Sequence, residues 1–206
     1  MEISVEEKLR NIKKGFRLVM NGVASQSMRE KGLEYKINWG VSFNELKRIA
    51  RENGKDYDLA VALWKEDIRE CKILATMIMP EEKMLPDLVD LWMEQITSQE
   101  IAEMAAFNLF SKLPFIPAKA FSWIASDREV CQICGYQVLA RLFMKGEQPD
   151  ERGINELIDQ ALCALKSERL SLRHAVITCL QRFADIDEQC EMIVKSALKN
   201  EDFQIL

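Results

Sequence analysis

Cys131 and Cys134 are the first residues to consider for chemistry, because two thiols at C-x-x-C spacing can chelate a metal or cycle between dithiol and disulfide. A tetrahedral zinc site needs further ligands. The 206-residue chain has no second C-x-x-C and a single histidine, His174. A separation of three residues is also the spacing of an apolar helix face, so both thiols are expected in a core. Cys71, Cys163, Cys179 and Cys190 fall mostly among apolar helix positions as well. No disulfide framework is expected, and reduced, buried thiols point to a cytoplasmic protein. His174 lacks a neighbouring Cys or Ser nucleophile pattern and is expected to pack or cap a helix. No metal and no cofactor is implied.

Charge is the second resource. The net charge of -5 gives no global attraction for a polyanion, so any nucleic-acid contact has to come from a local patch. Lys8 to Arg17 contains five basic residues and no acid, and Arg10, Lys13, Lys14 and Arg17 share one helical stripe. Lys47, Arg48 and Arg51 fall on one expected inner helix. Arg69, Lys72, Arg128 and Arg173 fall where other inner helices start, and helix N-termini favour phosphate. These seven residues are the expected nucleic-acid contacts. The ordinary alternative for such runs is a solvated helix face. Glu81 to Glu103, with seven acids and one lysine, places like charge near any duplex.

Helices must position these groups. Only 8 Gly and 5 Pro occur, and Leu, Ala, Met, Glu, Lys and Arg outweigh the β-branched residues. Ser4 with Glu7 and Ser42 with Glu45 have capping-box spacing. The first opens a helix over roughly 5–20. The second opens a helix that Gly54 ends. A shorter helix is expected from Ser25 to Lys31, followed by a connector from Leu33 to Val41. Beyond it the apolar period predicts paired arms: 58–64 with 68–79, 86–96 with 98–110, 117–125 with 127–144, and 153–166 with 171–183. The second arm of each pair carries small, apolar runs such as Ala102, Ala105 and Ala106, or Gly135, Val138 and Leu139, and is the buried one. Trp64 and Trp123 each precede an Arg-Glu pair by the same interval, at Arg69-Glu70 and Arg128-Glu129.

Second arms starting near 68, 98, 127 and 171 recur at the period of stacked two-helix repeats. The expected architecture is all-α, a curved solenoid of HEAT-like helical hairpins (an α-α superhelix), with 1–206 as a single domain and a concave face. No paired sheet is expected. Met1 leads straight into Glu2, Glu6, Glu7 and Lys8, so no signal peptide is expected, and the apolar run Ile73 to Met79 is far too short to cross a bilayer.

Several stretches resemble a known family: V-S-F-N-E-L-K-R-I-A-R-E (41–52), D-L-A-V-A-L-W-K-E-D-I-R-E-C-K-I-L-A-T-M-I (58–78) and N-L-F-S-K-L-P-F (108–115). They are similar to the DNA alkylation repair glycosylases with HEAT-like repeats. The likeness runs on through W-I-A-S-D (123–127) and R-H-A-V (173–176), about residues 5–185 in all. The resemblance implies excision of cationic N3- and N7-alkylpurines from duplex DNA held in a basic concave groove. It also implies two tryptophans against the nucleotide sugar, an aspartate that stabilises the oxocarbenium ion, and an arginine on the next inner arm. In this chain the corresponding positions are Gln99, Glu103, Ile133 and Thr178. A carboxylate survives at Glu103, with Glu100 beside it, and these are the only candidates for catalysis. The aromatic wall and the arginine are replaced, and positioning is most of what such a site contributes.

Three functions follow. The first is a non-catalytic relative whose concave face binds DNA or a protein. The second is an active N3/N7-alkylpurine glycosylase with a rearranged site. The third is a protein-interaction scaffold. The balance of the residues is against enzyme activity, with no membrane and no metal among the expected partners.

Overall fold

The computed structural model describes residues 3–33 and 35–200. Met1, Glu2, Glu34 and the run 201–206 lie outside the described residues. Among those described, the chain forms helices throughout and no strand, beyond one isolated parallel bridge between Ile37 and Ile68. The helices are α1 (Val5–Leu18), α2 (Gly22–Glu30), α3 (Phe43–Asn53), α4 (Tyr57–Lys65), α5 (Arg69–Ile78), α6 (Pro86–Gln95), α7 (Gln99–Asn108), α8 (Ile116–Ile124), α9 (Glu129–Phe143), α10 (Glu151–Leu165), α11 (Leu170–Ala184) and α12 (Glu188–Asn200). Single 3-10 turns at Glu81–Lys83 and Phe110–Lys112 follow α5 and α7.

The expected caps form. Ser4 accepts from the Glu7 N–H at 3.2 Å, and Ser42 from the Glu45 N–H at 3.3 Å. Each satisfies an orphan donor that would otherwise cost about 1 kcal/mol. Gly54 closes α3 with φ +68°, a conformation that carries no Cβ penalty in glycine. Two elements differ from the sequence expectation. α2 starts at Gly22, because Asn21 and not a later serine caps it, accepting from the Ala24 N–H at 3.0 Å. α12 was not expected at all; the Asp187 carboxylate opens it by accepting from the Cys190 N–H at 2.7 Å.

Contacts group the chain into two compact units that divide between Val89 and Asp90. In the first, α5 packs on α3 and α4, and α1 packs on α4. Lys8 pairs with Asp56, the cap of α4, at 2.8 Å, and Lys13 pairs with Glu66 beyond its end at 3.0 Å. Two of the five basic residues of α1 are thus engaged inside the unit. Arg10, Lys14 and Arg17 are exposed. The connector before α3 is held by a buried pair: Glu70 accepts from the Val41 N–H at 3.2 Å, the Trp39 N–H at 3.3 Å and the Arg69 guanidinium at 3.2 Å.

In the second unit α7, α9 and α11 lie side by side as one layer, and α8, α10 and α12 pack against them as the other. The small runs identified in the sequence fill the seam: Ala102, Ala105, Ala106, Cys134, Val138 and Leu139 are buried. α8 and α9 meet backbone to backbone at Gly135, where a Cβ would stand 2.8 Å from the Ala120 carbonyl oxygen and 3.0 Å from the Ile124 nitrogen. Each repeat is therefore a two-helix hairpin whose second arm is the more buried, as the period implied.

Candidate nucleic-acid interface

Gln99 and Glu103 occupy the head of α7, one turn apart. The Gln99 amide donates to the Glu103 carboxylate at 2.8 Å. Gln99 is exposed and Glu103 half-buried, as is Glu100. Ile133 is 1% exposed and belongs to the core of α9, while Thr178 is half-buried on α11. None of Gln99, Ile133 and Thr178 gives the site an aromatic wall or a cation.

A cation does face α7, from a residue that motif spacing missed. Arg141, in the last turn of α9, lies over the ring of Phe107 with its guanidinium carbon 4.3 Å from the ring centre. Burial lowers its tendency to hold its proton, and the nearby Glu103 carboxylate acts the other way. The Nε is sealed from solvent without an acceptor, and the side chain makes no hydrogen bond or ion pair among the described residues. Its signal in the sequence was faint: one charge set in the apolar run V-L-A-R-L-F, on an arm whose other charges, Asp127, Arg128 and Glu129, all stand at its start.

The seven expected contacts behave differently from one another. In the first unit Arg51 is exposed, while Arg48 is exposed but bridged to Glu45 at 2.9 Å and to Glu52 at 2.5 Å. Lys47 lies over the Phe43 ring. Lys72 donates to the Trp64 carbonyl, capping the end of α4, and covers the Trp64 ring at 4.6 Å. Burial pushes its ammonium below the usual lysine range. Arg69 is 5% exposed, and its Nη1 donates to the Val41 carbonyl at 3.1 Å as well as to Glu70. It sits inside the unit, away from any surface ligand. In the second unit Arg128 donates to the Glu94 and Ile96 carbonyls at 3.3 and 3.1 Å, joining the head of α9 to the end of α6. Arg173 is half-buried on α11, and no hydrogen bond or ion pair holds its side chain among the described residues.

Five of the six cysteines are buried, and Cys163 is exposed. Cys131 and Cys134 are buried on α9, and burial pushes the Cys134 thiol far up. Cys71 is pushed up to about 12 by burial, and Cys190 to about 11. Among the described residues no group of three or more His, Cys, Asp and Glu side chains is placed to hold a metal ion. His174 is exposed on α11. No helix among the described residues is long and apolar enough to cross a membrane.

Two-helix repeats with a buried second arm define the HEAT-like class, and comparison with solved structures agrees. The chain superposes with a TM-score of 0.77 on a member of "a new family of proteins related to the HEAT-like repeat DNA glycosylases with affinity for branched DNA structures". The alignment covers 92% of this chain and 83% of that one at 17% identity, a likeness of fold. The family profile described as DNA alkylation repair enzyme matches residues 12–191, and the chain belongs to that family. Comparison with curated proteins gives no match.

Proposed function

We propose that this protein binds DNA through its second-arm helices and does not excise alkylated bases. The observation that carries the reading is the Gln99–Glu103 hydrogen bond at the head of α7. There the resemblance calls for a stacking tryptophan and a carboxylate free to face an oxocarbenium ion. A glutamine is too small and too polar to wall the sugar, and its amide occupies the carboxylate that would stabilise the developing charge. Membership of the DNA alkylation repair family supports DNA over a protein as the ligand. The structural neighbour's described affinity for branched DNA makes a four-way junction the first probe beside a linear duplex. Buried, reduced thiols fit a cytoplasmic location.

The second reading, an active glycosylase with a rearranged site, draws on the carboxylate kept at Glu103 and its attraction to Arg141. One experiment separates the two. Anisotropy titrations of labelled duplex and junction, run beside a base-release assay on alkylated duplex, should give salt-sensitive binding without release. Release above background would establish the second reading, and no binding at low salt would favour a protein-interaction scaffold.

A further inference from the structure

We propose that Arg141 and Phe107 form a clamp for a phosphodiester of a nucleic-acid strand, a site two turns further along α9 than Ile133, the position to which the family resemblance assigns an arginine. This deepens the DNA-binding reading and rests on it.

Four observations converge on the clamp. Arg141 is half-buried, yet no acceptor among the described residues meets any of its five N–H donors. Leaving a partly desolvated guanidinium unpaired is costly, and an anionic ligand that accepts from it offsets the cost. Its plane is fixed, because Phe107 lies under it at 4.3 Å and the Nε is sealed inward. The Nη donors are therefore the ones that reach the surface, held in the fork that matches two oxygens of a phosphate.

The surroundings favour a nucleotide over a simple anion. Phe107 is 40% exposed, so an apolar ring face lies beside the cation, as a sugar or base attached to the phosphate requires. Lys145, in the turn that follows α9, donates to the Ser111 carbonyl at 2.6 Å and places a second positive charge just past the end of that helix. Among the described residues the Glu103 carboxylate acts on Arg141 with opposite charge, and the Gln99 amide already engages it. A carboxylate of an acidic protein segment would meet the same cation but brings no sugar or base to the exposed part of Phe107.

The test follows the Arg141 side-chain N–H resonance by NMR in the full chain, with trithymidylate and then an acidic peptide as probes. Duplex binding by wild type, Arg141→Gln, Arg141→Lys and Phe107→Leu is measured in parallel, each variant first shown to unfold at the wild-type temperature. The expected result is a saturable shift of the Arg141 resonance with trithymidylate and not with the peptide. Arg141→Gln should bind duplex about tenfold more weakly, the loss typical of a charged hydrogen bond. Its salt slope should fall by about one unit. Arg141→Lys should recover the slope but not the affinity, because a lysine keeps the charge and loses the planar fork. An unmoved resonance while the protein binds duplex overturns the clamp and leaves DNA binding standing. A shift with trithymidylate in a protein that fails to bind duplex supports the clamp and overturns duplex binding. An equal shift with the peptide overturns the assignment to a phosphodiester.

Discussion

The Gln99 side-chain amide donates to the Glu103 carboxylate at 2.8 Å, so the acid kept from the glycosylase pattern is already engaged by the residue that replaces its tryptophan. A carboxylate contributes to base excision only as far as it is aimed at the sugar carbon where positive charge develops. Purified protein should release neither N7-methylguanine nor N3-methyladenine from alkylated duplex above background, and Glu103→Gln should leave that background unchanged. Release that disappears in Glu103→Gln would show that the acid works despite its partner.

Glu70 is fully buried and accepts from Arg69 and from the N–H groups of Trp39 and Val41, so one carboxylate ties the 37–41 connector to the head of α5. Removing it takes a carboxylate away from the buried Arg69 guanidinium and leaves the Trp39 and Val41 N–H groups without their acceptor. Glu70→Ala should lower stability by about 3–5 kcal/mol, the range for breaking a buried pair. Glu70→Gln, which keeps an acceptor, should lose less. Urea denaturation of the two variants checks the order, and an Ala variant within 1 kcal/mol (about the cost of a surface change) would contradict this role.

The same dipeptide shows how much of the molecule its sequence discloses. Arg69-Glu70 and Arg128-Glu129 stand at the same interval behind Trp64 and Trp123, and both tryptophans are buried as repeat period demands. The first pair is sealed in the core, whereas Arg128 is exposed and Glu129 accepts from Ser171 at 2.9 Å. Periodicity and caps are local properties, so Ser4, Ser42 and Gly54 mark their helices correctly and the second-arm cores are legible. Whether an arginine at a helix start meets solvent depends on which loop crosses above it, and that is a long-range fact. The site suffers in the same way. Glu103 is visible from motif register, but Arg141 joins it only through the packing of α9 on α7.

Cys163 is exposed on α10, and the other five cysteines are buried. Thiol reactivity needs both access and thiolate, and burial denies both. An Ellman titration of native protein should show one fast thiol, and Cys163→Ser should abolish that phase. The remaining five should react only on unfolding. A fast phase retained in Cys163→Ser would reveal an opening of α9 or α11 that exposes the C-x-x-C pair or Cys179.

Gly135 lets α8 approach α9, since a methyl there would press on the Ala120 carbonyl and the Ile124 backbone, neither of which can swing aside. Gly135→Ala gains helix propensity of at most about 1 kcal/mol. Separating two packed helices costs about 1–3 kcal/mol, so the net effect should be destabilising. Thermal unfolding reads it directly. A raised melting temperature would mean that the two helices tolerate the methyl by shifting.

Arg48 and Arg51 share α3 but differ in what neutralises them, which makes them a matched test of phosphate contact in the first unit. Arg48 lies between Glu45 and Glu52, and hydrogen bonds to Glu45 and then Glu52 hold its proton more tightly. A phosphate that approaches it meets a cation already flanked by two carboxylates. Arg51 is exposed and belongs to no such bridge among the described residues. Each phosphate neutralised by a protein cation releases condensed counterions, with a slope of about -0.9 per contact on duplex DNA. Arg51→Ala should therefore flatten the salt slope of duplex binding by about one unit and weaken unrelated sequences equally. Arg48→Ala should do less, and Glu45→Gln together with Glu52→Gln should strengthen binding by freeing Arg48. Anisotropy titrations at several salt concentrations decide it. Equal slopes in wild type and Arg51→Ala would move the DNA path off α3.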